Sequence, residues 1–269
     1  MIKKFLTLAV VAALFVACGE EKPTPTPNPG GGNNTEEPEE PEEPAFQSAV
    51  QIDGEFADWD ALEAGKVFTA TLPEGEVVDP VLKTIKIYPD EMYIHVYAEF
   101  DPRGEYITET ESWSGVRMMD IFIDTDNDPT TGRYYAWYAG ADIMMQGAFN
   151  GTTTPFNPGV DLYTGPPAAG DWSWEDLGVY GAVETAILPV VVSEDVAKFE
   201  CSLSRYAFPF EMGEIIAMGI IVETEDWSSV GQLPQDVVPP EGEEAGETDP
   251  ANPQNFPGML VVILPPLAE

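Results

Sequence analysis

The chain is poor in cysteine, in histidine and in positive charge. Its 269 residues include 2 cysteines and 1 histidine. Cys18 and Cys201 lie far apart in sequence, so there is no disulfide framework and no CxxC metal or redox motif. Lys and Arg number 11 against 48 Asp and Glu, a net charge of −37. A surface this acidic repels DNA, RNA and anionic membranes, and it attracts divalent cations. No apolar period of 3.6 residues persists for three turns, which excludes long amphipathic helices. GxSxG, HExxH and P-loop motifs are all missing. A Ser-His-Asp triad would have to use His95, and no serine context supports one. His95 is on the more polar face of a strand, where a structural role is the ordinary one and a haem role would need a second axial ligand. With so many acids some pair falls at glycosidase spacing by chance, so their number says nothing about catalysis. The chain is expected not to bind nucleic acid and not to be an enzyme.

What is present begins with an address. Lys3 and Lys4 precede an apolar run from Phe5 to Ala17, too short to span a bilayer and of signal-peptide length. The sequence Leu14-Phe15-Val16-Ala17-Cys18 resembles a bacterial lipobox, although Phe15 departs from the usual aliphatic residue. The resemblance implies that Cys18 carries lipid and becomes the first mature residue; the alternative is an ordinary secretory signal cut nearby. Residues 19–45 hold seven prolines and eight glutamates and almost no apolar side chains, the composition of an extended tether. Gly19-Glu20-Glu21-Lys22 resembles the short acidic export signal of Bacteroidetes surface lipoproteins. The expected organisation is a signal peptide over 1–17, a lipidated Cys18 and tether over 18–45, and a folded domain over 46–269. The expected location is the outer membrane, lipid-anchored and exposed at the cell surface, with the bilayer touched only through Cys18.

From Phe46 onward strand-like runs recur. They cover 81–88, 92–100, 118–125, 141–149, 179–188, 197–204, 215–222 and 259–264, each with alternating or continuous apolar residues and Gly/Pro punctuation. Pro89-Asp90-Glu91 marks a hairpin turn. Cys201 shares a face with Phe199 and Leu203 and is expected in the core. Glu241 to Phe256 is expected as a long exposed loop. About nine strands and no helices predict a single antiparallel β-sandwich with long loops.

The most informative stretch is 118–147. Met119, Ile121 and Ile123 alternate with Asp120, Phe122 and Asp124, and the strand then gives way to Asp124-Thr125-Asp126-Asn127-Asp128. Calcium takes six to eight oxygens from carboxylates and carbonyls. Asp124, Asp126, Asn127 and Asp128 supply them on the loop, and Asp142 is placed to close the site from the returning strand. An EF-hand is excluded because Pro129 and Tyr135 stand where its Gly and Glu belong. The alternative is a polar Asx-turn loop without an ion.

Aromatic residues cluster in polar, Gly/Pro-rich segments: Trp113, Tyr135, Trp137, Trp172 and Trp174. An exposed ring can stack on the apolar face of a sugar while nearby carboxylates and amides take its hydroxyls. Trp172 and Trp174, two apart, can face one way if the segment is extended. The alternative is that these rings cap the ends of the sandwich. Trp59, beside the Asp53-Gly54 turn, is expected as a core staple.

Several of these segments together resemble the family 9 carbohydrate-binding module and its DOMON-like relatives. They are Ile52-Asp53-Gly54 through Asp58-Trp59, Met92-Tyr93-Ile94-His95-Val96 leading to Asp101, Phe122 to Asp128 followed by Thr131-Gly132, Gly140-Ala141-Asp142, Phe199 to Ser204, and Ile216 to Val222 followed by Asp226-Trp227 and Gly231-Gln232-Leu233-Pro234. The resemblance spans about 46–264. It implies a single jelly-roll-like sandwich, often calcium-bearing, with sugar binding in some members. The expected function is that of a non-catalytic carbohydrate-binding surface lipoprotein with structural Ca2+. The alternative is an accessory lipoprotein that holds an outer-membrane protein partner and has no sugar site.

Overall fold

Alternation of side chains across a pleated strand gives every strand two faces, and here two sheets turn their apolar faces to one shared core. The structure is a computed structural model, and it describes residues 46–73, 80–101, 116–135, 138–148, 155–208, 212–224, 227–235 and 259–267. They belong to one unit, Phe46–Glu269. One short helix, α1 (Ala57–Ala61), precedes fifteen strands. These are β1 (Phe68–Thr71), β2 (Leu82–Pro89), β3 (Tyr93–Phe100), β4 (Val116–Asp124), β5 (Arg133–Tyr135), β6 (Tyr138–Ala141), β7 (Ile143–Ala148) and β8 (Gly159–Tyr163). They continue as β9 (Trp174–Tyr180), β10 (Val183–Ala186), β11 (Val190–Ser193), β12 (Val196–Ser204), β13 (Ile215–Thr224), β14 (Ser229–Leu233) and β15 (Leu260–Ile263).

A six-stranded sheet runs β1-β2-β3-β12-β10, with β11 also on β12. A seven-stranded sheet runs β14-β13-β4-β7-β8-β9, with β15 also on β13, and β5 and β6 form a separate ribbon. Every ladder is antiparallel. The molecule is therefore an all-β sandwich. Ile85, Ile87, Val96, Phe199, Cys201 and Leu203 from one sheet meet Met119, Ile121, Ile123, Met145, Met218 and Ile220 from the other in the main core. Cys201 sits there as a small apolar residue, and burial pushes its thiol well above the ordinary range.

Among the described residues there are fifteen strands, more than the expected nine or so. Strands of three to five residues, such as β5, β6 and β14, show too few alternations to stand out. The 179–188 run is not one strand. It breaks at Gly181, with β9 in the seven-stranded sheet and β10 in the six-stranded one.

The N-terminal segment is stapled to the outer face of the six-stranded sheet. Phe199, Cys201 and Leu203 point into the sandwich, so the intervening Glu200 points out. There it is fully buried and accepts three hydrogen bonds, from Asp53 N (3.0 Å), Gly54 N (2.8 Å) and Trp59 Nε1 (2.8 Å). Trp59, Val50 and Tyr97 form a small cluster over this face. Burial raises the Glu200 pKa and the three donors oppose the rise. The Asp-Gly turn and the tryptophan five residues later thus serve one carboxylate.

Candidate functional site

Asp124 ends β4 where the strand leaves the sheet. Its side chain, with those of Asp126 and Asp142, places three carboxylate oxygens within 4.8 Å of one another. Asp142 occupies the break between β6 and β7. Its N–H donates to the Ile123 carbonyl (2.9 Å), and its Oδ2 accepts from Thr125 N (2.9 Å) and Thr125 Oγ1 (2.6 Å). Asp124 Oδ1 accepts from Asp126 N (3.3 Å) and Asp128 N (3.2 Å). Burial, then the Asp126 and Asp142 carboxyls, push Asp124 up to about 8, and burial raises Asp142 as well. Asp128 differs. Its carboxylate caps Thr130 N (3.0 Å) and Thr130 Oγ1 (2.6 Å), which hold its pKa low. Asn127 takes a left-handed backbone, φ 54°.

The fit to a hard cation can be tested on Gly140. A methyl group there would sit 2.5 Å from Asp124 Oδ2 and 2.9 Å from the Asp128 carbonyl. Only a residue without a side chain lets those two oxygens approach this corner. The donor set is all oxygen, which suits a hard cation with carboxylate and carbonyl ligands.

A second group of polar residues lies on the face of the seven-stranded sheet turned away from the main core. Strand register builds a row across it: Gln232, Ile221, Asp120, Gln146, Gly159 and Tyr180, one from each strand from β14 to β9. Asp120 is 2% exposed and Gln232 3%. Gln146 Nε2 donates to Asp120 Oδ2 (3.2 Å). Asp120 Oδ1 and Gln232 Oε1 are buried and have no hydrogen-bond partner among the described residues. One row on, Asp161 and Asp176 stand opposite each other across β8 and β9, a like-charge pair. Burial pushes Asp120 up to about 7, helped by the charges of Glu223 and Asp161. Sequence reasoning did not single out Asp120, Gln146 or Gln232. The signal was there: a polar residue at alternate positions of strongly apolar strands.

The Asp120 shift gives a pH prediction. A carboxyl raised from 3.8 unfolded to about 7 folded contributes full stability below the unfolded value. That contribution is lost as pH rises through about 7. Asp120→Asn should therefore be more stable than wild type at pH 8 by about 1–3 kcal/mol, with the gap closing by pH 4. Urea unfolding at the two pH values measures this, and a gap that does not change with pH would refute it.

Aromatic rings flank the face. Trp174, at the start of β9, packs on Phe122 (6.1 Å between centroids) and Tyr163 (5.4 Å), and its buried Nε1 has no partner among the described residues. Trp172 is 61% exposed and meets Trp174 edge-on at 6.2 Å, so the period-2 pair comes together but at 71° between planes rather than as one flat surface. Arg133 stacks over Trp172 at 4.7 Å. Trp227, not among the ligand residues expected from sequence, is 58% exposed with φ 66° on the β13–β14 hairpin, where its N–H donates to Thr224 O (3.1 Å). Trp113 and Trp137 lie outside the described residues, as does the side chain of Tyr135.

His95 has a structural place. Its Nε2 meets both Asp90 Oδ2 (2.8 Å) and Ser48 Oγ (2.9 Å). A catalytic triad needs the serine and the acid on opposite ring nitrogens. The site is also closed, with His95 2% exposed. Burial acts to raise Asp90, but hydrogen bonds from His95, Ser48 and the Met92 and Tyr93 amides hold its pKa below the usual value. The cluster ties the N-terminal segment to the β2–β3 hairpin.

No protein-family model matches the chain, and no curated protein matches it in sequence. Among the solved structures similar to it are two that bind sugars. One is a carbohydrate binding module family 9 from Caldicellulosiruptor kristjanssonii in complex with glucose, with a TM-score of 0.42 and 16% identity over 82% of this chain and 94% of that one. The other is a module of the same family and organism in complex with cellotriose, with a TM-score of 0.40 and 13% identity over 82% of this chain and 92% of that one. At that overlap, the function of this chain rests on its own residues.

Proposed function

We propose that the protein is a non-catalytic carbohydrate-binding module that takes a neutral glycan on the outer face of its seven-stranded sheet. The supporting observation is the set of buried polar atoms on that face without partners among the described residues: Asp120 Oδ1, Gln232 Oε1 and Trp174 Nε1. Such atoms are rare in folded proteins because each forfeits a hydrogen bond made in the unfolded chain. Sugar hydroxyls both donate and accept, so one ligand class can satisfy a carboxyl, an amide oxygen and an indole N–H together. Exposed Trp172 and Trp227 supply flat apolar surface to the sugar's ring faces. The charge of −37 disfavours anionic polysaccharides.

In the same reading Ca2+ is held by Asp124, Asp126 and Asp142 with the Asp128 carbonyl, and it fixes the loop between β4 and β5. Residues 1–45 export the domain and tether it through a lipidated Cys18 at the outer-membrane surface. Adding CaCl2 should raise the melting temperature, and Asp124→Ala with Asp126→Ala should abolish that rise. A rise that survives the double substitution would move the site elsewhere.

Trp227→Ala tests the ring on the β13–β14 hairpin. It should weaken binding of a soluble trisaccharide (cellotriose, xylotriose or mannotriose) by about 1–3 kcal/mol, as for aromatic stacking on other flat ligands. The melting temperature should stay within a few degrees of wild type because the ring is mostly in water. Calorimetric titration of both proteins decides it, and unchanged affinity would remove Trp227 from the site. If none of the three sugars binds wild type, the protein-partner reading takes precedence.

A further inference from the structure

The loop between β8 and β9 carries Trp172, and its backbone is fastened to neighbouring elements. Ala168 N donates to Gly132 O (3.0 Å), Tyr134 N to Ala169 O (3.0 Å), and Thr164 N to Ser173 O (2.9 Å). The single Tyr163 O–H is shared between the carbonyls of Pro166 (3.0 Å) and Ala169 (3.2 Å). None of these bonds involves an arginine side chain. Arg133 adds something separate. It is 4% exposed, on a strand beside the loop. Its Nε donates to Asp171 O (3.1 Å) and its Nη2 to Gly170 O (3.3 Å). Its guanidinium carbon lies 4.7 Å over the Trp172 ring and 6.0 Å from that of Trp174.

We propose that Arg133 is the positioning residue of Trp172: its guanidinium, pinned on two main-chain carbonyls, holds the indole outward as a preformed stacking platform for a sugar ring. This rests on the carbohydrate reading above. An indole 61% exposed to water would otherwise sample several rotamers. A ligand would have to freeze one of them, and ordering a side chain in advance removes that cost from binding. Arginine suits the task because its planar fork bridges two acceptors while its flat face stacks on the ring. Lysine keeps the charge but cannot do both.

The test combines a spectroscopic readout with a double-mutant cycle in the full protein. Near-UV circular dichroism should show a tryptophan-pair signal in wild type that is lost in Trp172→Ala, because the two indoles lie 6.2 Å apart in fixed orientation. Arg133→Met and Arg133→Lys should both lose most of that signal without sugar. Both should bind the tightest of cellotriose, xylotriose and mannotriose about three- to tenfold more weakly, the range of a partly buried cation–π contact. In a Trp172→Ala background Arg133→Met should cost no further affinity.

The proposal is overturned if the arginine variants keep the signal, if their affinity equals wild type, or if Arg133→Met costs as much without Trp172 as with it. The last outcome would make Arg133 merely structural. Should Arg133→Met fail to fold, Arg133→Lys carries the same cycle. A Trp172→Ala protein that binds as wild type removes Trp172 from the site and overturns the proposal while leaving the sheet face intact. Wild type that binds none of the three sugars overturns the proposal together with the reading beneath it.

Discussion

Replacing Glu200 with alanine is expected to lower the free energy of unfolding by about 3–5 kcal/mol, the cost of leaving several buried donors unpaired. Asp53 N, Gly54 N and Trp59 Nε1 all donate to this one carboxylate, which is fully buried. Alanine removes every acceptor at once, and relaxation of the N-terminal segment recovers only part of the loss. Glu200→Gln keeps the shape and one oxygen, so it should cost about half as much. Loss of the staple should also release Trp59 from its contact with Tyr97, now 5.3 Å between centroids, and shift the tryptophan emission to the red. Urea unfolding followed by fluorescence measures both effects. Wild-type stability in Glu200→Ala would mean that the motif from Ile52 to Trp59 is held by its apolar contacts alone.

The second large effect falls on Gly140. It has φ +81°, and a methyl group would meet Asp124 Oδ2 at 2.5 Å. Gly65 provides the control, since it has φ +94° with nothing within 4 Å of a methyl group. Gly65→Ala should therefore report backbone strain alone, about 1–2 kcal/mol. Gly140→Ala should cost about 2–4 kcal/mol, strain plus displacement of a buried carboxylate. It should also lose the stabilisation by CaCl2, which Gly65→Ala keeps. Equal costs for the two variants with the calcium response retained in both would show that the corner at Gly140 has no part in a cation site.

How much of this was legible in the sequence follows from where the signals are local. The sandwich was legible because Met119, Ile121 and Ile123 alternate with Asp120, Phe122 and Asp124, and similar period-2 runs recur along the chain. Asp124, Asp126 and Asp142 were legible as one group because a hairpin necessarily brings its two ends together. The split of 179–188 between two sheets was not, since Gly181 marks a break but not which sheet receives each half. Glu200 was hidden because its donors lie about 140 residues earlier, on a turn whose partner no spacing rule supplies. Each of Gln232, Asp120 and Gln146 showed as a polar residue in an apolar strand, but their alignment was hidden: they come from β14, β4 and β7, and only strand register, through Ile221 of β13, brings them into one row. Asp128 looked equivalent to Asp126, yet the Thr130 hydroxyl and amide draw its carboxylate away. Arg133 gave no signal as a partner of Trp172, because a basic residue after a turn is ordinary and the contact crosses 39 positions of sequence.

The central claim is that the outer face of the seven-stranded sheet holds a sugar, and calorimetric titration tests it most directly. Cellotriose, xylotriose and mannotriose are titrated into wild type and into Asp120→Ala with Gln232→Ala, after melting curves confirm that both are folded. The account predicts that wild type binds at least one trisaccharide and that the double variant binds it at least tenfold more weakly. A wild type that binds none, or a folded double variant with undiminished affinity, would contradict it.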